Sequence, residues 1–146
     1  MLGIFLYGNN LGGDGMANLA AGLKMMPKLT MLHLGVNQLG TKGMVALAPV
    51  FEACLQLNSV DLQDNGLTAE AFKAIGPSLS GLKELGDLRV AGNQLGANGD
   101  EGARSLIPLV KALPKLHTLY CENNDVSEEV QAMIKAAVAD GCVVHF

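Results

Sequence analysis

The sequence contains no tryptophan, and its aromatic side chains are limited to four phenylalanines and two tyrosines. Arginine is almost as scarce, since Arg89 and Arg104 are its only representatives. Charged residues make up 16% of the chain, and the formal net charge is −4. Proteins that bind DNA or RNA usually carry a basic face that neutralises phosphates. The composition therefore argues against a nucleic acid as the primary partner.

Cysteine is also rare, and Cys54, Cys121 and Cys142 lie far apart along the chain. An odd number at such spacing fits neither a disulfide framework nor a zinc site, so we expect a reducing, intracellular and cytoplasmic environment. No apolar run approaches the roughly 18 residues that are needed to span a bilayer. The opening MLGIFLYG is apolar but lacks the basic segment of a signal peptide. We therefore expect no membrane span.

Internal repetition is the strongest positive feature of the sequence. The chain has 146 residues, of which 49% are hydrophobic, as expected for one folded domain over residues 1–146. The template Leu-x-x-Leu-x-Leu-x-x-Asn-x-Leu fits from Leu29 to Leu39 without exception, and similar matches start at residues 1, 57, 85 and 116. The period is 28 residues three times and then 31. Such repetition predicts a solenoid, in which neighbouring units bury each other's apolar faces.

Each repeat changes its hydrophobic period halfway along. The template segment alternates apolar residues as a short strand does, and then turns at the asparagine. The second half spaces apolar residues four apart, as in Leu19 with Leu23 and Leu47 with Phe51, which is the core-facing stripe of a helix. We therefore predict an α/β solenoid of five repeats, with a parallel sheet on the concave face and helices on the convex face. A strand at about residues 142–146 should close the sheet.

An asparagine follows every predicted strand, at Asn9, Asn37, Asn65, Asn93 and Asn124. Where the chain bends out of a strand, enclosed backbone groups lose their sheet partners. A side-chain amide offers two donors and an acceptor to such groups, and leaving each of them bare would cost about 1–3 kcal/mol. We therefore predict a structural rather than a catalytic role for this asparagine column.

The 28-residue unit resembles the ribonuclease-inhibitor class of leucine-rich repeats. The resemblance lies in the LxxLxLxxNxLG segment and in the glycine-opened helices of Gly15 to Leu23, Gly43 to Phe51 and Gly102 to Val110. It covers nearly the whole chain, and it implies a fold much more specifically than a function. It implies an intracellular protein from a class whose members inhibit ribonucleases, sense ligands, activate small GTPases or build large assemblies.

Two features depart from that repeat pattern. Pro49, Pro77 and Pro108 fall at the equivalent position of three predicted helices, where proline removes a backbone donor and clashes with the preceding turn. We expect each α-helix to begin near its proline or to kink there. The fourth repeat carries three extra residues within the segment 96–102, which we expect to bulge outward as a loop.

Side chains that alternate with the inward leucines should point out of the concave sheet. They form an aromatic and apolar half and an acidic half around Arg89, in which Asp61 and Arg89 should be cross-strand neighbours that pair. Phe5, Tyr7 and Tyr120 should be exposed there, and aromatic residues are enriched among interface hot spots. The candidate partner-binding residues are Phe5, Tyr7, Met31, His33, Val36, Asp61, Gln63, Asp64, Asp87, Arg89, Tyr120 and Glu122. This surface suits a protein partner with a basic and partly hydrophobic patch.

We predict a non-catalytic protein–protein interaction scaffold, a subunit or adaptor of a larger assembly, without a cofactor or metal. His33 beside Asp61 resembles part of a catalytic triad, but no well-placed serine or cysteine nucleophile is evident from the sequence. The alternative is a GTPase-activating or ribonuclease-inhibitor-like regulatory protein. Met1 already occupies the first template position, so the first strand should be an uncapped edge. Either the chain is a fragment, or a neighbouring subunit or second copy covers that edge.

Overall fold

A computed structural model describes residues 1–146 and shows six strands that alternate with five helices. The strands are β1 (Gly3–Phe5), β2 (Met31–His33), β3 (Ser59–Asp61), β4 (Asp87–Arg89), β5 (Thr118–Tyr120) and β6 (Val143–His145). The helices are α1 (Gly12–Leu23), α2 (Gly40–Ala53), α3 (Ala69–Ser80), α4 (Ala97–Lys111) and α5 (Glu128–Ala137). All neighbouring strands pair in parallel and in sequence order, which confirms the predicted fold class. None of the helices combines the length and apolarity needed to cross a membrane.

The hydrophobic core runs along the whole solenoid between the sheet and the helices. The central residues of β2 to β5 are completely buried, as are the apolar stripes of α2 and α3. They belong to one continuous cluster of 35 buried residues. Each repeat therefore depends on its neighbours for burial of its strand and helix, as expected of a repeat protein.

The asparagine column forms a hydrogen-bonded ladder between repeats. Asn37 Nδ2 donates to the carbonyl oxygens of Leu6 and Leu34 at 2.7 and 3.0 Å. Asn37 Oδ1 accepts from the backbone N–H groups of Asn9 and Leu11 at 3.0 and 3.3 Å. The next three asparagines of the column repeat this arrangement. The predicted structural role is confirmed, because each amide completes the turn of its own repeat and of the preceding one.

The prediction that helices begin or kink at the prolines is wrong. α2 starts at Gly40 and α3 at Ala69, well before Pro49 and Pro77, and both continue through the proline with helical dihedrals. Each of the three prolines is exposed, and so is the residue four positions earlier whose carbonyl loses its helical donor (Val45, Lys73 and Arg104). Water can bond those carbonyls, so the prolines are tolerated on the outer face of the helices.

The extra segment of the fourth repeat bulges less than predicted. Asn98, Gly99 and Asp100 take left-handed backbone conformations, with φ of 54°, 73° and 64°. Asp100 is nevertheless buried, and its carboxylate accepts hydrogen bonds from the N–H and the hydroxyl of Ser127 in the next repeat. The segment is therefore a left-handed turn that joins two repeats, because Asp100 folds back where the prediction placed an outward loop.

Candidate protein-binding surface

The strand register aligns the outward side chains of the sheet in rows across the concave face. The first row is Gly3, Met31, Ser59, Asp87, Thr118 and Val143, and the second is Phe5, His33, Asp61, Arg89, Tyr120 and His145. Backbone pairing continues past the strands and gives a third row of Tyr7, Gly35, Gln63, Ala91 and Glu122. These three rows and the turn residues that follow them, which include Val36 and Asp64, constitute the concave face. All the residues proposed from the sequence thus lie on one side of the sheet.

Two glycines leave room for the aromatic rings in the apolar half of the concave face. Phe5 and Tyr7 are 58% and 57% exposed, as predicted. A Cβ on Gly3 would lie 2.6 Å from the Phe5 ring, and one on Gly35 would lie 2.9 Å from the Tyr7 ring. Both rings therefore occupy space that a side chain on the adjacent glycine would fill. Met31, half-buried beside Gly3, extends this apolar area.

Val36 occupies an unfavourable backbone conformation at the edge of this apolar area. Its φ is +56° and its side chain is 37% exposed. The residues at the equivalent turn position in the other repeats are Gly8, Asp64, Gly92 and Asn123, which tolerate the left-handed region far better. A β-branched residue in this region is a genuine outlier, and such strain costs of order 1–3 kcal/mol and is typical of functional sites.

A polar network connects the middle of the second row to the first row. His33 packs edge-on against the Phe5 ring, with centroids 5.0 Å apart, and His33 Nε2 lies 2.8 Å from Ser59 Oγ. Ser59 Oγ lies 3.5 Å from Asp87 Oδ1. The sequence interpretation missed Ser59, although its position 28 residues after Met31 places it in the first row.

The Ser59–His33 contact has the elements of a nucleophile and a base, but its surroundings suit a structural network. The Ser59 backbone N–H donates to the Thr30 carbonyl within the sheet, so it is not free to act as an oxyanion donor. The side chain of Asp61, the register partner of His33, accepts from the Gln63 N–H at 2.9 Å. A triad would need that carboxylate to orient the imidazole.

The predicted Asp61–Arg89 pairing is wrong, although the two residues are register partners. Arg89 Nε donates to Asp87 Oδ1 on its own strand at 3.0 Å, and this hydrogen bond raises the pKa of the guanidinium further. Asp61 was expected to be exposed, yet it is only 5% exposed. Burial raises the pKa of Asp61, against the lowering effects of the Gln63 N–H and of His33 and Arg89. The Asp61 side chain therefore lies below the exposed side chains, and it affects the electrostatic potential of the concave face without being exposed on it.

The expectation that Tyr120 is freely exposed is also wrong. Tyr120 is half-buried between Arg89, whose guanidinium carbon lies 4.9 Å from the ring centroid, and His145, whose ring stacks on it at 4.7 Å. His145 belongs to β6, which extends the sheet beyond the fifth template match. The sequence interpretation placed a strand there but did not extend the outward rows onto it, so His145 was missed.

The acidic half of the concave face has little compensating positive charge, because Arg89 is already engaged by Asp87. Asp64 is exposed and its carboxylate lies against Gly92, where a Cβ would approach within 1.9 Å of Asp64 Oδ1. Glu122 is half-buried, and its Oε2 atom is shielded from solvent without a hydrogen-bond donor. Gln63, also half-buried, lies between the two halves. A carboxylate oxygen that has lost water without gaining a donor is energetically unfavourable.

The cysteines lie away from these rows and behave as interior residues. Cys54 and Cys121 are buried, and burial raises the pKa of the Cys121 thiol to about 12. All three cysteines are unpaired. No group of three His, Cys, Asp or Glu side chains is arranged to hold a metal ion.

The convex face carries two apolar grooves. One of about 230 Å³ lies between α4 and α5 and is lined by Ile107, Met133 and Ala137, and one of about 290 Å³ lies between α3 and α4. Phe72 and Leu109 form its floor, Gly76 leaves it open, and Pro77 and Pro108 line its sides. The Lys73–Glu101 ion pair crosses its end. Nothing in this groove connects it to the concave face.

Comparisons with known proteins find similarity to this chain in the repeat and in the fold. A family described as leucine-rich repeat matches residues 26–48. A structure of leiomodin-1 actin-binding site 2 has a TM-score of 0.77 at 16% identity and covers 94% of this chain and 79% of its own. The tropomodulin C-terminal domain from Caenorhabditis elegans has a TM-score of 0.77 at 11% identity and covers 94% of this chain and 82% of its own. No curated protein matches the sequence. At these identities the likeness to the two structures concerns the fold.

Proposed function

We propose, since the chain is a leucine-rich repeat protein, that it is a non-catalytic scaffold that binds another protein on its concave face. The observation that carries this proposal is the exposure of Phe5 and Tyr7 together with Val36 in a strained backbone conformation. Exposed aromatic rings at a fixed position bury a large area on binding at little entropic cost. The fold requires a left-handed backbone at this turn in every repeat, but it does not require valine, since the other repeats use glycine, aspartate or asparagine there. A strained residue that the fold does not require is typical of a functional surface.

The chemistry of the concave face defines the partner. Its apolar half presents Phe5, Tyr7 and Met31, and its acidic half presents Asp64 and the undersatisfied carboxylate of Glu122. The matching surface is a basic and partly hydrophobic patch, with an apolar side chain for the first half and an arginine or lysine for the second. Such charge complementarity contributes mainly to specificity and association rate.

Defined peptides test this proposal without a known partner. Fluorescence anisotropy would compare fluorescent 15-residue peptides that combine Leu and Trp with Arg and Lys, with Asp and Glu, or with Gly and Ser. We expect the basic set to bind best. Phe5→Ala and Tyr7→Ala should each weaken binding about fivefold or more, which corresponds to a loss of about 1 kcal/mol or more. Met25→Ala is the matched control, because Met25 is 80% exposed but lies outside the concave face.

Two results would overturn the concave-face proposal: equal binding of the basic and acidic sets, or an equal effect of Met25→Ala and the two aromatic variants. Glu122→Gln should weaken binding of the basic set only. Tyr120→Ala should weaken binding too, but part of its effect will come from loss of the stack with His145, so its unfolding must be measured in parallel. Actin should be tested in the same experiment, since the similar leiomodin-1 structure is that of an actin-binding site.

We also propose that the chain is a subunit or adaptor of a larger intracellular assembly, with a further contact at β1. Leu6 and Gly8 donate their N–H groups to β2, so the alternate peptide groups of Gly3, Phe5 and Tyr7 face away from it. Unpaired strand edges are templates for pairing with another chain. Light scattering across a concentration series would detect a second copy. A monomer at every concentration would contradict pairing of β1 with a second copy.

The alternative function is regulatory, as a GTPase activator or a ribonuclease-inhibitor-like protein, and it follows from the resemblance of the 28-residue unit. A catalytic arginine directed at a nucleotide would have to be Arg89 or Arg104, and Arg89 is held by Asp87. Acceleration of GTP hydrolysis in a panel of small GTPases that is lost in Arg89→Ala would favour this alternative. Inhibition of a pancreatic-type ribonuclease would favour the other one.

A further inference from the structure

Four polar side chains form a continuous chain across three strands of the concave face. His33 Nε2 lies 2.8 Å from Ser59 Oγ, which lies 3.5 Å from Asp87 Oδ1. The same Asp87 oxygen accepts from Arg89 Nε at 3.0 Å. We name these four residues the concave relay. Its middle contact is at the outer limit of hydrogen-bond distance, so its strength depends on where the Ser59 hydroxyl proton points.

The protonation state of His33 decides the direction of that hydroxyl. In a neutral imidazole with its proton on Nδ1, Nε2 is an acceptor, so the Ser59 hydroxyl proton can point to Nε2 or to Asp87 Oδ1. In the other neutral tautomer Nε2 donates, as it does in the imidazolium. In the imidazolium, both ring nitrogens are donors. Nε2 must then donate to Ser59 Oγ, and Asp87 Oδ1 is the acceptor left within reach of the hydroxyl proton.

We propose that protonation of His33 turns the Ser59 hydroxyl toward Asp87 and so couples pH to the Asp87–Arg89 ion pair two strands away. Asp87 then has two donors on one oxygen, and its hold on Arg89 weakens. The relay is thus a regulatory device of the concave face. The coupling itself does not depend on the proposed function. Its consequence rests on that function, and it is that binding of a basic peptide weakens as pH falls and His33 becomes protonated.

The surroundings of His33 favour such a device. On β1 its neighbour is Phe5, which is uncharged and packs edge-on against the imidazole. On β3 its neighbours are Ser59 and the register partner Asp61, whose pKa burial raises and the charge of His33 lowers. On β4 the charged groups are Asp87 and Arg89, which are members of the relay. A proton on His33 therefore meets negative charge on one side and an open apolar face on the other.

Nuclear magnetic resonance of the whole chain tests the relay without any partner. The Arg89 Nε–H signal and the His33 ring nitrogens would be followed from about pH 5 to 8, the range in which histidine side chains in general change charge. The background variant is His145→Gln, because His145 stacks on Tyr120 beside Arg89 and would add its own titration. We expect the Arg89 Nε–H shift to titrate with the same midpoint as the His33 ring.

Two variants separate the hydrogen-bond route from charge acting through space. Ser59→Ala keeps the His33 charge at its distance but removes the hydroxyl, so the Arg89 titration should disappear. Ser59→Thr keeps a hydroxyl on a strand-compatible side chain and should retain it. Persistence of the Arg89 titration in Ser59→Ala would overturn the proposal, as would its absence in the His145→Gln background itself.

His33→Gln is a second test if Ser59→Ala proves misfolded by its amide spectrum. It removes the titrating group, so the Arg89 signal should become independent of pH, and a remaining titration would contradict the relay. The peptide measurements of the concave face are independent of this result. A chain that binds basic peptides equally at pH 5.5 and 7.5 but shows the Arg89 titration would retain the relay and lose its proposed consequence.

Discussion

The carboxylate of Asp100 accepts hydrogen bonds from both the backbone N–H and the hydroxyl of Ser127, at 3.0 and 2.6 Å. Ser127 is the N-cap of α5, and its Oγ accepts in turn from the Val130 N–H. The three-residue insertion of the fourth repeat thus supplies a side chain that positions the start of the fifth helix. The insertion is part of the packing between repeats.

The contact between Asp100 and Ser127 predicts that acid lowers the stability of the fold. The Ser127 donors favour the carboxylate form and hold the pKa of Asp100 below its ordinary value. The stability that Asp100 contributes is therefore complete above the unfolded pKa of about 3.9, and it is lost as pH falls through the lower folded pKa. Asp100→Asn should lower the urea midpoint at pH 7 and reduce its change between pH 5 and pH 3. Asp140→Asn, at an exposed position, should leave both quantities as in the wild type.

The asparagine ladder predicts unequal effects of the same substitution at two positions. Asn65 is buried, its Oδ1 accepts from the Asn37 and Leu39 N–H groups, and its Nδ2 donates to two carbonyls. Asn65→Ala leaves these backbone groups unpaired and should cost about 3 kcal/mol or more in the free energy of unfolding. Asn9 is exposed and donates only to two nearby carbonyls, so Asn9→Ala should cost about 1 kcal/mol.

Urea unfolding of both variants would check this difference. Similar losses at the two positions would show that the ladder contributes little beyond the local turn.

Two glycines provide a matched pair for steric tests. A Cβ on Gly96 would lie 2.1 Å from the Asp125 carbonyl oxygen, a backbone atom that cannot move alone, whereas a Cβ on Gly76 in α3 meets nothing within 4 Å. Gly96→Ala should therefore destabilise the chain strongly and loosen the contact between the fourth and fifth repeats. Gly76→Ala should raise stability by about 0.5–1 kcal/mol, because alanine favours a helix over glycine. Thermal unfolding distinguishes them, and a stable Gly96→Ala protein would refute the close approach.

Val36 predicts opposite effects on stability and binding. Replacing it by asparagine, the residue at this turn position in the fifth repeat, should relieve the left-handed strain and stabilise the fold by about 1 kcal/mol. The same change removes an apolar side chain beside Tyr7 and should weaken binding of the basic, apolar peptides. Unchanged stability would show that the left-handed conformation of Val36 is not strained. Unchanged binding would show that Val36 is not part of the binding surface.

The sequence predicted the fold well because period and template are local signals. The leucine positions define inward side chains, and the asparagine column defines the turns, so the parallel sheet followed without knowledge of any contact. The errors arose where a side chain has a choice of partners. Arg89 can pair with Asp61 on the neighbouring strand or with Asp87 on its own strand, and only the structure shows that the ion pair forms with Asp87.

The candidate surface was predictable in outline for the same reason. Alternation along strands placed Phe5, His33 and Arg89 on one face. It did not show that His145 of β6 would stack on Tyr120, because that contact depends on the register of a strand outside the template. It also did not show that Ser59 would contact His33, because that contact depends on a small polar side chain. The proline error had a related cause, since the cost of a freed carbonyl depends on whether water reaches it.

The asparagine ladder also imposes an order on the synthesis of the chain. The turn after β2 is completed by Asn65, which bonds the Asn37 N–H from 28 residues further along. At a translation rate of about 5–20 residues per second, each turn must wait roughly 1–6 s for the asparagine that closes it. A repeat is therefore completed only when the next repeat has emerged, and the solenoid matures one repeat behind the emerging end of the nascent chain.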